Sequence, residues 1–506
     1  MPKQTHHKAY RVIETKEGQQ PLSSNLTDAL VEIRRLQGNS DDLVITPKTT
    51  GGGVEVAMVL YDGLVSNQQV SDFLMPGVVG VPEALTTGEE VYTYLQQQVI
   101  LSSEVKEARS YQQLLILCMS GFAAILVDGC AKAIMLGYQG FATRGVGEPS
   151  SENNLQGSRE GFSESIVTNL SLIRRRLKSP RLVVEGMTVG KTSNTSVKLV
   201  YLRGIASASL VSKIREKLGK VGVEILLDVG CLQHFIDDRK LSLFSGVWVT
   251  ERPDTLCAKI GEGRVAVLVD GTPFALICPY LFAEHFQSLD DYSHRPYFAS
   301  FVRILKYAAF LITILLPGYY VAVVSFHPEL IPETLLTQFV GTAAYTPLPV
   351  LLEAVVVFLL YEVLREAGLR LPRPIGSTLG LVGGIVIGDA AVRAGIVGLP
   401  MIIIIALTAI GSFVVPSLYQ PITILRLGFI VVGGLLGLFG VYLGFALFVV
   451  NLCSIKTLGI PFTSPLTPVE PYSFRDIFIR ASWRTLEQDT LIVQDVPGAD
   501  RDEYIP

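Results

Sequence analysis

Apolar positions are spread unevenly along the chain, and their spacing changes character near residue 300. Before residue 290, short β-branched runs alternate with polar stretches and with apolar residues at helical spacing, as in a soluble protein of mixed helices and strands. Residues 56–61 predict a short strand; Gly63 breaks it, and Ser66 caps a helix running to Phe73. Residues 182–184 and 197–202 predict two strands flanking a turn at 190–195. Residues 209–218 predict an amphipathic helix with Leu210, Ile214 and Leu218 on one face.

From residue 300 to Cys453 the pattern is different: Leu, Ile, Val, Gly, Ala and Phe dominate. The runs reach the ~18–20 residues that cross a bilayer. They predict spans at 301–324, 347–364, 378–394, 399–417 and 424–450. The last holds Gly433, Gly434 and Gly437, and reads either as one tilted helix or as a broken pair. Gly380, Gly383, Gly384 and Gly388 allow close helix contacts.

The front end contains an internal repeat. Val56 to Ser66 aligns with Val197 to Ser207, including Tyr61-Asp62-Gly63 against Leu202-Arg203-Gly204. Further along, Ala124 to Gly129 aligns with Ala266 to Gly271, and both end in Val-Asp-Gly (Asp128, Asp270). Two matches in the same order and at nearly the same offset point to a duplication. The Asp-Gly pairs read as turns rather than as catalytic aspartates.

The predicted organisation is α+β/α: two tandem cytosolic α/β modules followed by a polytopic helical membrane domain. The boundaries are 1–145 for the first module, 146–165 for a Gly/Ser/Glu/Asn-rich linker and 166–290 for the second module. A membrane domain of five or six segments covers 298–455, and a cytosolic tail covers 456–506. The basic run Arg174-Arg175-Arg176 reads as a solvated helix face, or as a contact for anionic headgroups.

Composition narrows the function. The net charge is -4 over 506 residues, with no basic stripe, which argues against nucleic acid as a partner. Six cysteines lack metal or CxxC spacing and read as buried reduced thiols. The start, including His6-His7, has no apolar signal region and reads as a polar tail. Gly186 to Thr192 imitates a phosphate loop but is one residue short and strand-like. No nucleophile elbow or HExxH stands anywhere in the chain, so no enzyme, catalytic residue, metal or cofactor is expected.

Lysines and arginines at the segment ends favour a cytosolic side for Arg303, Lys306, Arg365, Arg370 and Arg426. Arg393 is discordant. Five spans would leave the basic C-terminus outside, so the last segment is expected to turn back, or 333–340 to dip into the membrane. The residues that carry chemistry are the carboxylates within the apolar half: Glu353, Glu362 and Asp389. Each needs shelter, since a charge facing lipid costs about 2.5–3.5 kcal/mol on the translocon scale. Glu353 and Glu362 read either as halves of a helix-locking Glu–Arg pair or as part of an ion pathway, and Asp389 as a further ion-pathway candidate; clustered carboxylates favour cations.

The chain resembles the GerA family of spore germination proteins, in particular its A-type subunits. The resemblance rests on Leu172 to Leu177, Thr250-Glu251-Arg252-Pro253-Asp254, Glu262 to Pro273, Asp290-Asp291-Tyr292, Phe326 to Pro332 and Arg365 to Pro372. It covers about residues 160–465, with weaker likeness over 1–150. The chain departs from the family pattern at Thr346-Pro347-Leu348-Pro349, where Val-Pro-Phe-Pro is usual, and at Asp389, where Gln is usual. Leu486 to Pro506 has no counterpart in it.

The resemblance implies a nutrient germinant receptor subunit in the spore inner membrane. It implies B-type and lipoprotein C-type partner subunits and a homo-oligomer, a pentamer, that gates monovalent cations. Nutrient binding falls to the B-type partner. The resemblance also covers the stage V sporulation protein AF branch, which amplifies germination. A non-conducting scaffold and a solute transporter are the alternatives; a transporter predicts inverted repeats in the membrane half, and the repeat found is in the soluble half.

Overall fold

The computed structural model describes residues 20–99, 104–140, 147–149, 152, 154, 156–238, 242–333, 346–371, 388–468, 476–486 and 492–499. Its soluble part holds two layers built to one plan. The first runs α1 (Leu26–Leu36), β1 (Leu43–Thr49), β2 (Glu55–Tyr61), α2 (Gly88–Tyr94), β3 (Val105–Ala108), α3 (Tyr111–Cys118), β4 (Phe122–Val127) and β5 (Ala133–Gly137). The second runs α4 (Ile166–Arg176), β6 (Leu182–Val189), β7 (Thr195–Leu202), α5 (Ala208–Gly219), α6 (Val229–Ile236), β8 (Trp248–Thr250), α7 (Pro253–Gly261), β9 (Val265–Val269) and β10 (Ala275–Cys278). The sheets have strand orders β1-β2-β4-β5-β3 and β6-β7-β9-β10-β8, the same order position for position. Every pairing is antiparallel.

Both faces of each sheet are covered, which is why the central strands are apolar throughout and do not alternate. Ala57, Val59 and Tyr61 face α1 and α3, whereas Val56, Met58 and Leu60 face the side of α2. In the second layer Val197, Leu199 and Tyr201 meet α5 and α6, and Val200 and Leu202 meet α4 and α7. Leu210, Ile214 and Leu218 form the buried face of α5, as their spacing predicts.

The two Val-Asp-Gly sequences do more than turn the chain. Asp128 Oδ1 accepts the N–H of Leu26 (2.9 Å), at the start of α1. Asp270 Oδ1 accepts the N–H of Ile166 (3.0 Å), at the start of α4. Each carboxylate thus satisfies an orphan donor and meets the positive end of a helix. The glycine that follows takes a positive φ in both cases, 87° at Gly129 and 88° at Gly271, open to glycine without steric cost.

The basic run is not a solvated face. Arg174 is 1 % exposed. Its Nε and Nη2 donate to the two carboxylate oxygens of Asp42 (2.7 and 2.8 Å), and Nη2 also donates to Ser40 Oγ (3.0 Å). The guanidinium lies 4.6 Å from the centre of the Tyr61 ring. Ser40 Oγ in turn accepts the N–H of Val184 (2.9 Å), and Asp41 N–H donates to Val184 O (2.9 Å). A buried ion pair therefore helps to join the two layers, and helical periodicity gave no sign that a partner 132 residues away would claim Arg174.

Part of 146–165 lies along the second layer. Glu152 accepts from Trp248 Nε1 (3.2 Å), Thr250 Oγ1 (2.6 Å) and Glu251 N–H (3.2 Å). Burial nevertheless pushes its carboxyl up from the usual value. Cys118, Cys130, Cys257 and Cys278 are buried free thiols, as expected; Cys231 and Cys453 are free but exposed, because each sits on the outer side of its helix.

The apolar half contains α8 (Pro296–Phe326), α9 (Val350–Arg370), α10 (Gly388–Arg393), α11 (Leu399–Val414) and α12 (Tyr419–Ser454). Among the described residues two stretches are long and apolar enough to cross a membrane, Pro296–Phe326 and Pro416–Ser454. The predicted span 378–394 lies mostly outside the described residues, as do Gly380, Gly383 and Gly384.

The glycine-rich last segment is a broken pair. Gly437 has φ 64° and ψ -154° inside α12. A straight helix would hold Phe429 and Gly444 about 22 Å apart, yet the Phe429 ring lies against Gly444, and Val432 lies against Gly440. The chain doubles back at Gly437, beside the Phe326 ring at the far end of α8. The first half of α12 starts near the soluble part, where Ser417 Oγ donates to His285 O (3.4 Å). The second half returns there, placing the Phe448 ring 6.0 Å from Phe244. Gly318 and Gly433 let α8 and α12 touch backbone to backbone: a Cβ on Gly433 would overlap Gly318 O, and one on Gly318 would overlap Phe429 O.

After α12 the chain docks on the second layer. Leu458 N–H donates to Asp238 Oδ2 (2.7 Å), Phe282 N–H to Phe462 O (2.8 Å) and Val493 N–H to Glu262 O (2.9 Å). Val493 and Val496 are buried beside Leu281 and Ile460. Within the stretch expected as a cytosolic tail, 456–506, the described residues Leu458, Phe462, Val493 and Val496 thus pack against the second layer and the segment that leads into α8.

Candidate functional site

Pro349 precedes the first turn of α9, where a missing N–H is not needed. That turn carries Glu353, which is 5 % exposed. Its Oε1 accepts the N–H of Gly398 (2.8 Å), the residue that caps the start of α11. The carboxylate therefore faces the positive end of an apolar helix, close to Ala354, Val397 and Met401. The arginine partner that sequence reasoning offers Glu353 is replaced here by a backbone amide. Nothing in the spacing of residues marks Gly398 as the partner, because the two are 45 positions apart.

Glu362 lies nearer the other end of α9, about 13 Å further along the axis. Arg426 Nη2 donates to Glu362 Oε1 (2.6 Å), Arg365 Nε donates to Oε2 (3.3 Å), and the Tyr419 hydroxyl also donates to Oε2. Arg426 is wholly buried, with its guanidinium 4.8 Å from the Phe358 ring centre. Arg365 lies 3.6 Å over the Tyr419 ring. This cluster ties α9 to the first half of α12. Arg365 was legible as a partner; Arg426 was visible only as a basic residue beside an apolar run.

Asp389 belongs to neither group. It sits on the six-residue α10, its side chain 56 % exposed, and pairs with Arg393 Nε at 2.9 Å. That pairing accounts for the discordant arginine: both charges lie on one short helix, four residues apart. Within one chain the structure keeps the three carboxylates separate, with Glu353 and Glu362 sheltered and Asp389 on the surface.

Between the soluble part and α8 lies a fourth charged group, which sequence reasoning missed. Glu284 is buried and accepts from Arg264 Nη2 (2.6 Å), from Lys259 Nζ and from Leu281 N–H (2.8 Å). Burial alone would raise its carboxyl, but Arg264 and Lys259 outweigh it and hold it below the usual range. The neighbouring His285 is packed against Trp248, Tyr280 and Phe462. Burial pushes its ring down to about 4, so it is neutral at neutral pH. Among the described residues no group of His, Cys, Asp and Glu is placed to hold a metal ion.

This architecture, two α/β layers on apolar helices of which two are long and apolar enough to cross a membrane, defines the class of protein by its fold. Comparison with known proteins makes the assignment specific. The profile of the family "Bacillus/Clostridium GerA spore germination protein" matches residues 31–491, and the chain belongs to that family. The chain is 37% identical to spore germination protein KA of Bacillus subtilis (strain 168) over 91% of this chain and 85% of that protein. It is 36% identical to spore germination protein B1 of the same organism, over 91% of this chain and 95% of that protein. The crystal structure of the N-terminal domain of the A subunit of the Bacillus megaterium spore germinant receptor GerK3 matches with 31% identity and a TM-score of 0.43, covering 52% of this chain and 98% of that one.

Proposed function

We propose that this chain is the A subunit of a nutrient germinant receptor of the spore inner membrane, assembling with copies of itself, as a pentamer, into a gated monovalent-cation channel. B-type and C-type subunits are its partners, and nutrient sensing enters through the B-type subunit. The duplicated soluble modules sit on the cytosolic side. α8, α9, α11 and the two halves of α12 cross the membrane, and the second half of α12 returns the C-terminal segment to the modules. Family membership supports the germination role.

The observation that carries the channel reading is Glu353: a carboxylate 5 % exposed among apolar helices, held to Gly398 N–H at 2.8 Å. A buried acid on an apolar helix is costly and marks an ion path by default. Release of its hydrogen bond frees the carboxylate to meet a cation, and a ring of copies repeats it around a pore. Liposomes loaded with potassium and carrying the full-length protein test this. Glu353→Gln keeps the size and one acceptor but removes the charge, and is expected to slow potassium release about ten-fold with assembly unchanged. Release at the wild-type rate removes Glu353 from the pathway.

A second reading has its own support. Glu362 is taken up by Arg426 and Arg365, and Asp389 by Arg393, within a single chain. Such pairs suit a scaffold that conducts nothing, as in a germination-amplifying subunit. Wild-type proteoliposomes that release no potassium favour that reading.

A further inference from the structure

A further buried charge cluster, separate from those of Glu353, Glu362 and Glu284, lies where the soluble part meets α8. Arg303, near the start of α8, is 0 % exposed. Its Nε donates to Asp291 Oδ2 (2.9 Å). Its Nη1 donates both to Asp476 Oδ1 (2.7 Å) and to Asp476 O (2.8 Å). The Tyr292 hydroxyl donates to Asp476 Oδ2 (2.7 Å), and Gln287 Nε2 donates to Asp476 O (2.7 Å). Lys306 Nζ approaches Asp291 Oδ1 at 3.5 Å. A few residues on, Arg480 N–H donates to Ser300 Oγ (2.9 Å) and Arg480 Nη2 to Tyr292 O (3.1 Å).

Three segments therefore meet at one guanidinium: the exit from the second module (287–292), the first turns of α8, and residues 476–480, which follow α12. The doubling back of α12 at Gly437 is what brings 476–480 to this place. α8 and α12 also touch directly at Gly318 and Gly433. Any rearrangement of α8 against α12 must either carry the Arg303 cluster with it or break it. Breaking it strands a buried charge, which is costly.

We propose that Arg303 and Asp476 form the joint through which the soluble modules hold α8 and α12 in the closed arrangement, Asp476 acting as a positioning residue for gating. The proposal rests on the channel reading above. Asp476→Asn removes the charge while keeping the size and the backbone carbonyl that Arg303 and Gln287 use.

In potassium-loaded proteoliposomes of the full-length protein, Asp476→Asn is expected to raise basal release about ten-fold. The ratio of potassium to sodium permeability should stay at the wild-type value, because the joint lies outside the pore. Asp476→Glu, which restores the charge, should bring basal release back toward wild type. Basal release equal to wild type in Asp476→Asn, with wild type conducting, overturns the joint and leaves the channel reading standing. A wild-type protein that never conducts sinks the channel reading instead. Amide hydrogen exchange then decides the joint: residues 287–305 should exchange about ten-fold faster in Asp476→Asn while α1 and β2 are unchanged. Equal exchange at 287–305 overturns it.

Discussion

Replacing Arg174 by Ala is expected to destabilise the soluble part by about 3–5 kcal/mol, the cost of leaving a buried charge without its partner. Arg174 is 1 % and Asp42 is 3 % exposed at the side chain, so water cannot take over the lost contacts. The Asp42 carboxylate is then left with the Ser40 hydroxyl, which donates to its Oδ1 (2.7 Å). The same change removes the cation over the Tyr61 ring and loosens the Ser40 link to Val184. Urea unfolding of the full-length protein in detergent should turn from one transition into two, the first layer melting early. Adding Asp42→Ala to Arg174→Ala should recover much of the loss, since no charge is then stranded. A single mutant with the wild-type midpoint would mean that the ion pair contributes nothing to the junction.

Gly433→Val is expected to prevent the helices of the membrane half from packing. Overpacking a yielding core costs about 1–3 kcal/mol, and here the overlapped atom is the carbonyl oxygen of Gly318, which has no rotamer to escape into. Gly318→Val meets Phe429 O in the same way. Gly428 provides the contrast: nothing lies near a Cβ built there. Gly428→Ala should therefore be neutral, or stabilising by up to about 1 kcal/mol from helix propensity. The measurement is the yield of monodisperse protein in detergent and its melting temperature. Equal behaviour of the Gly433 and Gly428 variants would contradict the backbone contact.

The parts of the fold that the sequence announced are those fixed by local pattern. The β-branched run at 56–61, the amphipathic spacing of Leu210, Ile214 and Leu218, and the apolar length of 301–324 each depend on neighbours in the chain. What stayed hidden depends on partners far away. In the sequence Arg174 was indistinguishable from Arg175 and Arg176; only the structure shows that Asp42 claims it. Glu353 looked like half of an arginine pair, but its partner is a main-chain amide, which no side-chain pattern can reveal. The turn at Gly437 was one of two readings, because three glycines in an apolar run permit both a tilted helix and a break. Only the positive φ, with Phe429 against Gly444, decides between them. Arg303 was legible as a basic flank, whereas its junction with Asp476 required the return of the chain.

In the proposed topology the doubling back of α12 at Gly437 sets the C-terminal segment on the same side of the bilayer as the soluble modules. Thiol labelling with a membrane-impermeant reagent on sealed vesicles of known orientation tests it most directly. Cys231 and Cys453 are first replaced by Ser, since both are exposed. Glu329→Cys, just after α8, and Lys456→Cys, just after α12, are then introduced singly. Lys456→Cys should label only from the side on which protease reaches the modules, and Glu329→Cys only from the opposite side. Labelling of both positions from one side would contradict the hairpin at Gly437 and the ring built on it.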